Sequence, residues 1–180
     1  MGAFKEPHGG ELKNLYLDAA AAETEKQAAQ DYASWDLTER QLCDIELILN
    51  GAFSPLEGFL NKDDYETVVG GMRLTSGVLW PVPITLDVSE AFAEGLNSGD
   101  KVALRDLEGV ILATLEVGDI WTPDKTAEAK GVFGTTDEKH PAVHYLNNVA
   151  HPVYVGGKLT GVEAPTHYDF KHLRESPAEV

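Results

Sequence analysis

The chain has 180 residues, 43% of them hydrophobic and 24% charged, an ordinary globular composition long enough for one domain with a full core. That balance excludes disorder and collagen-like repeats, and no apolar run reaches the roughly 18 residues that a membrane span needs. Thirty acidic residues against fourteen basic ones give a net charge of −16, spread over both halves of the chain. Such a field repels phosphate backbones, so neither nucleic acid nor a membrane is an expected partner.

In chain order, Met1 to Gly10 is polar and carries no secretory h-region. Residues 17–33 are rich in Ala, Glu, Lys and Gln and predict a first helix. Thr38 with Gln41 three residues on fits a capping box, with Leu37 placed to staple Leu42. Leu42, Ile45 and Leu49 line one face of this second helix, and Asn50-Gly51 stops it. A third helix is expected over about 62–71, with Tyr65, Val68, Val69 and Met72 at helical spacing.

The period then changes to two. Residues 78–86 have apolar side chains at even positions and two prolines at odd ones, predicting a strand at an edge or bulge. A short helix over 88–96 and a turn at 97–100 lead into a strand, Lys101 to Arg105, and after a second turn into a long strand over 110–121. Thr122-Pro123 predicts a cap and first-turn proline for a helix to about 130. His140-Pro141 opens another helix to about 149, and residues 152–158 form a last strand. Helices at the front and short mixed strands behind argue for an α+β fold with a small barrel-like sheet.

Few residues present themselves as chemistry. Gly131 to Thr136 looks like part of a phosphate loop but lacks the Gly-Lys-Ser/Thr ending, so a glycine-cornered connection between two helices is expected. Gly70-Gly71 and Gly156-Gly157 read as turns. His140, His144 and His151 have metal-like spacing, yet His140 precedes a proline and no H-E-x-x-H frame exists. The carboxylate pairs Asp63-Asp64 and Glu23/Glu25 read as solvated helix ends. Cys43, the single cysteine, reads as a core thiol with no disulfide partner, in keeping with a reducing cytoplasm. No residue is a candidate for catalysis, cofactor binding or metal ligation.

Four longer strings say more. Ser34 to Glu46 leads into Leu49-Asn50-Gly51-Ala52-Phe53-Ser54-Pro55-Leu56-Glu57-Gly58-Phe59-Leu60; then come Leu79 to Asp87, Val132-Phe133-Gly134-Thr135-Thr136-Asp137 running to Pro141, and Val153 to Leu159. On these strings the chain resembles the amino-terminal domain of ATP sulfurylase (sulfate adenylyltransferase), from about Pro7 to the end. The resemblance implies a PUA-like pseudo-barrel over 1–165, with a helical front (17–72) and a sheet-rich part (78–160). It also implies a linker, 166–180, toward a catalytic domain.

The family enzyme joins ATP and sulfate into adenosine 5′-phosphosulfate and pyrophosphate, with Mg²⁺ on the nucleotide, by positioning and cationic stabilisation of phosphoryl oxygens. The family's catalytic strings Q-x-R-N, H-x-x-H and G-R-D-H are absent; the four arginines are Arg40, Arg73, Arg105 and Arg174, none before Asn. The resemblance therefore implies a non-catalytic structural domain without a cofactor of its own, whose partner is the catalytic domain, with a homo-oligomer possible. It predicts an exposed apolar patch for that partner and a frayed Leu173 to Val180. The alternatives are a stand-alone PUA-like binding module and one half of a split ATP sulfurylase.

Overall fold

The computed structural model describes residues 6–180. In chain order its first elements are α1 (Ala19–Ala28), β1 (Ala33–Asp36), α2 (Glu39–Leu49), β2 (Gly58–Phe59), α3 (Lys62–Gly71) and β3 (Leu86–Val88). They are followed by α4 (Glu90–Ala93), β4 (Lys101–Arg105), β5 (Ile111–Trp121), α5 (Lys125–Phe133), α6 (Pro141–Asn148) and β6 (Val153–Gly161). The strands hydrogen-bond in the order β1-β4-β5-β6-β2, with β3 on β6. The sheet is mixed, since β1 runs parallel to β4 while β4–β5 and β3–β6 are antiparallel. The expected α+β class of short mixed strands with several helices is what the chain adopts.

Two compact units divide the contacts, and β5 and β6 each run from one into the other. The first holds the described residues up to Gly58 with Lys101–Glu116 and Lys158–Val180. Its Ala-rich α1 starts where Asp18 accepts from the Ala20 and Ala21 amides, and its small residues serve packing. Ala22 and Ala29 share a buried cluster with Ala103, Ile111 and Val162, because a methyl-sized face lets a helix lie close on a sheet. The capping box of α2 forms as expected: the Thr38 hydroxyl accepts from the Gln41 amide, and the Gln41 side chain accepts from the Thr38 amide. Ile45 and Leu49 are buried, as the helical spacing predicts.

The Asn50-to-Pro55 string has a structural explanation. Gly51 takes φ +90°, and a Cβ there would stand 2.3 Å from the Lys13 carbonyl oxygen; only glycine combines that backbone with that approach. The buried Ser54 hydroxyl donates to the Gly51 carbonyl at 2.6 Å and accepts from the Lys13 amide at 2.9 Å. The peptide bond to Pro55 is cis.

The second unit comprises Phe59–Asp100 and Val117–Gly157. Here α3 packs on α5 and α5 on α6, with Ala129, Val143 and Leu146 as a small core.

Several expectations need correction. The first helix ends at Ala28, a 3-10 turn follows at Ala29–Asp31, and Ala33–Asp36 is a strand that polar Ser34 and Asp36 disguise. Residues 78–85 are not a strand; only Leu86–Val88 is, and Val82 is exposed. The segment instead returns on the end of α3, with the Trp80 amide donating to the Met72 carbonyl and the Leu74 amide to the Val78 carbonyl. Met72, expected on the apolar face of α3, is exposed at φ +53° as its left-handed cap.

The cap of α5 is Asp124 rather than Thr122, accepting from the Thr126 and Ala127 amides. Gly70-Gly71 lies inside α3 and Gly156-Gly157 inside β6, so neither is a turn. Cys43 is exposed, not a core thiol.

Candidate functional site

The densest buried polar chemistry sits in the second unit. Glu128 is 6% exposed, and the Tyr65 and Tyr154 hydroxyls both donate to its Oε2, at 2.9 and 3.0 Å. Trp121 completes the surroundings, its ring centroid 5.5 Å from that of Tyr65 and 5.8 Å from that of Tyr154. The Trp121 indole nitrogen is buried without a hydrogen-bond partner among the described residues. Burial, and after it the Glu128 charge, pushes both phenols well above the ordinary tyrosine range.

Alongside, Lys125 donates from Nζ to the Leu146 and Ala150 carbonyls at 2.7 and 2.8 Å, tying down the carboxyl end of α6. Burial lowers its affinity for a proton, partly offset by the Asp87 and Glu128 charges. Buried Asp87 accepts from the His151 amide at 2.8 Å. Phenols held above their ordinary range are poor acids, and a carboxylate clamped by two of them is shielded from any substrate proton. This cluster is built to hold α3, α5 and β6 together.

Sequence reasoning missed it, although one signal was legible: Lys125, Glu128, Ala129 and Val132 share a helix face, placing two charged residues on an apolar stripe. Nearby, an open cleft of about 530 Å³ is bordered by Glu90, Glu94, Ile120, Trp121, Thr122 and Val153. Its charged lining is acidic, so it repels an anion.

The residues singled out from sequence are not brought together. Gly131 to Thr136 is the end of α5 and its glycine cap, Gly134 at φ +71°, a connection between two helices as expected. His140 precedes α6 and stacks on Phe133, with centroids 5.4 Å apart. His144 Nδ1 lies 3.3 Å from Asn148 Nδ2, and His151 meets Asp87 through its backbone. Among the described residues no three His, Cys, Asp or Glu side chains gather in a way that holds a metal ion.

Asp64 accepts from both the amide and hydroxyl of Thr75 at 2.7 Å. Glu25 accepts from Lys101 Nζ at 3.0 Å and from the Thr114 hydroxyl at 2.8 Å. Partial burial pushes the Glu25 carboxyl up, and those two partners more than offset it, leaving it below the usual carboxylate range. Both acids therefore do more than face water. Basic side chains are similarly committed: Lys26 reaches Glu163, Arg40 reaches Asp44, and Arg105 reaches the Gly109 carbonyl.

Comparison with known proteins gives three findings. The family model of the PUA-like domain matches residues 5–164. Sulfate adenylyltransferases of Eremothecium gossypii and Saccharomyces cerevisiae are 53% and 49% identical, each over 97% of this chain. That of Neurospora crassa is 52% identical over the same share. The chain spans about a third of the length of these relatives, 35%, 34% and 31% respectively. A solved structure described as a hexameric APS kinase from Thiobacillus denitrificans is similar over 97% of this chain and 30% of its own, with a TM-score of 0.76 and 32% identity.

Proposed function

We propose, from the premise that this chain belongs to the PUA-like domain family, that it is the non-catalytic structural domain of a sulfate adenylyltransferase. In this reading residues 1–165 form the domain and 166–180 the linker. The enzyme as a whole joins ATP and sulfate into adenosine 5′-phosphosulfate and pyrophosphate, and this domain packs against the part that does so. The observation that carries the reading is the combination of high identity over 97% of the chain with coverage of only a third of the relatives.

The residues present support a role without a nucleotide. Holding Mg²⁺-ATP and sulfate takes clustered Arg and Lys or a cradle of amides. Here Lys26, Arg40 and Lys101 reach carboxylates, Arg73 and Arg105 reach carbonyls, and the described cleft beside Trp121 is acidic. The donor set does not fit the nucleotide, and we assign this chain no cofactor.

The proposal includes a cytoplasmic home and assembly into an oligomer. The oligomer is supported by the solved neighbour being described as hexameric. No described helix is long and apolar enough to cross a membrane.

The test is pyrophosphate release from ATP, Mg²⁺ and sulfate. The purified chain is expected to be inactive. A Saccharomyces cerevisiae enzyme carrying this chain in place of its matching third is expected to be active. Turnover by the chain alone, or a dead but folded chimera, refutes the reading.

A further inference from the structure

We infer that Tyr168, Phe170 and Leu173 form the apolar strip on which the rest of the sulfate adenylyltransferase docks, an inference that rests on the function proposed above. Elsewhere the most open large apolar side chains stand singly, Leu107 at 72%, Val149 at 56% and Val180 at 84%, while Met72, Leu79 and Val82 are 52%, 50% and 46% exposed. Tyr168, Phe170 and Leu173 are 77%, 67% and 70% exposed within six residues of chain. An apolar cluster kept in water at that density is what a buried contact looks like when its partner is away.

Three further observations single out this strip. Phe170 has φ +47°, a left-handed backbone that a bulky side chain adopts at a cost, and such outliers gather where a surface is used. The strip is also anchored, because His167 Nε2 lies 2.7 Å from Glu46 Oε1 on α2, 121 residues away in sequence. The anchor fixes where the strip leaves the domain, so its side chains are presented from a set position.

Charge is the third observation. Asp169 and Glu175 are matched by Lys171 and Arg174, so the strip is locally neutral in a chain of net charge −16. A partner meets no net repulsion there, unlike over the rest of this acidic chain. The occupant follows from length: the strip lies beyond residue 164, where the family match ends, yet the relatives align over 97% of this chain and are about three times as long.

The test is amide hydrogen exchange on the isolated chain and on the same chain within the Saccharomyces cerevisiae chimera. Amides 168–173 are expected to exchange at least 10-fold more slowly in the chimera, and the slowing is expected to vanish in a Y168S/F170S/L173S chimera but not in an M72S/L79S/V82S one. Slowing at residues 72–82 instead, with 168–173 unchanged, overturns this inference and leaves the proposed function standing. No slowing anywhere on the grafted domain overturns both. Protection of 168–173 in the isolated chain that grows with its concentration assigns the strip to a second copy and also overturns the inference.

Discussion

At the scale of single residues, the energetic weight falls on Glu128. One carboxylate oxygen takes two phenol donors inside a nearly closed site, and hydrogen bonds to a charged acceptor contribute about 1.5–3 kcal/mol each. Removing the acceptor is worse than losing the bonds, because both phenols stay buried without a partner. Glu128→Ala is therefore expected to lower unfolding stability by roughly 3–5 kcal/mol, and Glu128→Gln, which keeps one acceptor oxygen, by about 1–2 kcal/mol. Urea denaturation of the two variants checks the order; equal losses would mean that volume, not hydrogen bonding, sets the cost.

The same contact has a pH signature. Tyr65 and Tyr154 titrate higher in the folded chain than in the unfolded one, through burial and then the Glu128 charge. Their contribution is complete below about pH 10, the ordinary phenol value, and declines above it as the unfolded chain sheds those protons first. Each phenol is expected to remove about 1.4 kcal/mol of stability per pH unit there. Replacing both by Phe should flatten the alkaline limb of a stability–pH curve, and a limb of unchanged slope would remove these phenols from the explanation.

At the scale of elements, glycines separate packing from propensity. A Cβ on Gly131 of α5 would lie 2.4 Å from the Val69 carbonyl oxygen of α3, and backbone cannot step aside without parting the two helices. Gly131→Ala is expected to cost about 1–3 kcal/mol. Gly70 lies in α3 with open space where its Cβ would be, so Gly70→Ala is expected to stabilise by about 1 kcal/mol. Thermal melts of the pair should move in opposite directions; a shift of both the same way contradicts the packing account.

Elements encoded by neighbours were legible from sequence. The Thr38–Gln41 box, the extent of α3, the β4–β5 hairpin and the proline that opens α6 all depend on residues within a few positions of one another. Features encoded by distant partners were not. The four residues of β1 become a strand only because Ala33 to Asp36 pair with Val102 to Arg105, and residues 78–85 abandon their alternation because the end of α3 offers hydrogen bonds. The Glu128 cluster joins positions 63 and 26 residues away, so spacing showed only two charged residues on the apolar face of α5 and none of their partners. Cys43 shows the same limit: its helix was right, but which side faced out depended on what α2 packs against.

At the scale of the whole molecule, charge opposes the fold. A net −16 on 180 residues is self-repelling, while the ion pairs that salt would weaken are mostly at the surface. Lys62–Glu66, Lys158–Glu57 and Arg174–Asp169 are open to solvent at 3.8, 4.0 and 3.5 Å, and such pairs contribute about 0–1 kcal/mol. Long-range repulsion among the excess carboxylates is summed over the surface and screened with a Debye length of about 10 Å at 0.1 M salt. The second effect outweighs the first, so raising NaCl from 10 to 200 mM, on the order of the range where screening sets in, is expected to raise the urea midpoint with no change in the slope of the transition. A midpoint that falls with salt would mean that the ion pairs, and not the unbalanced carboxylates, dominate the electrostatics of this domain.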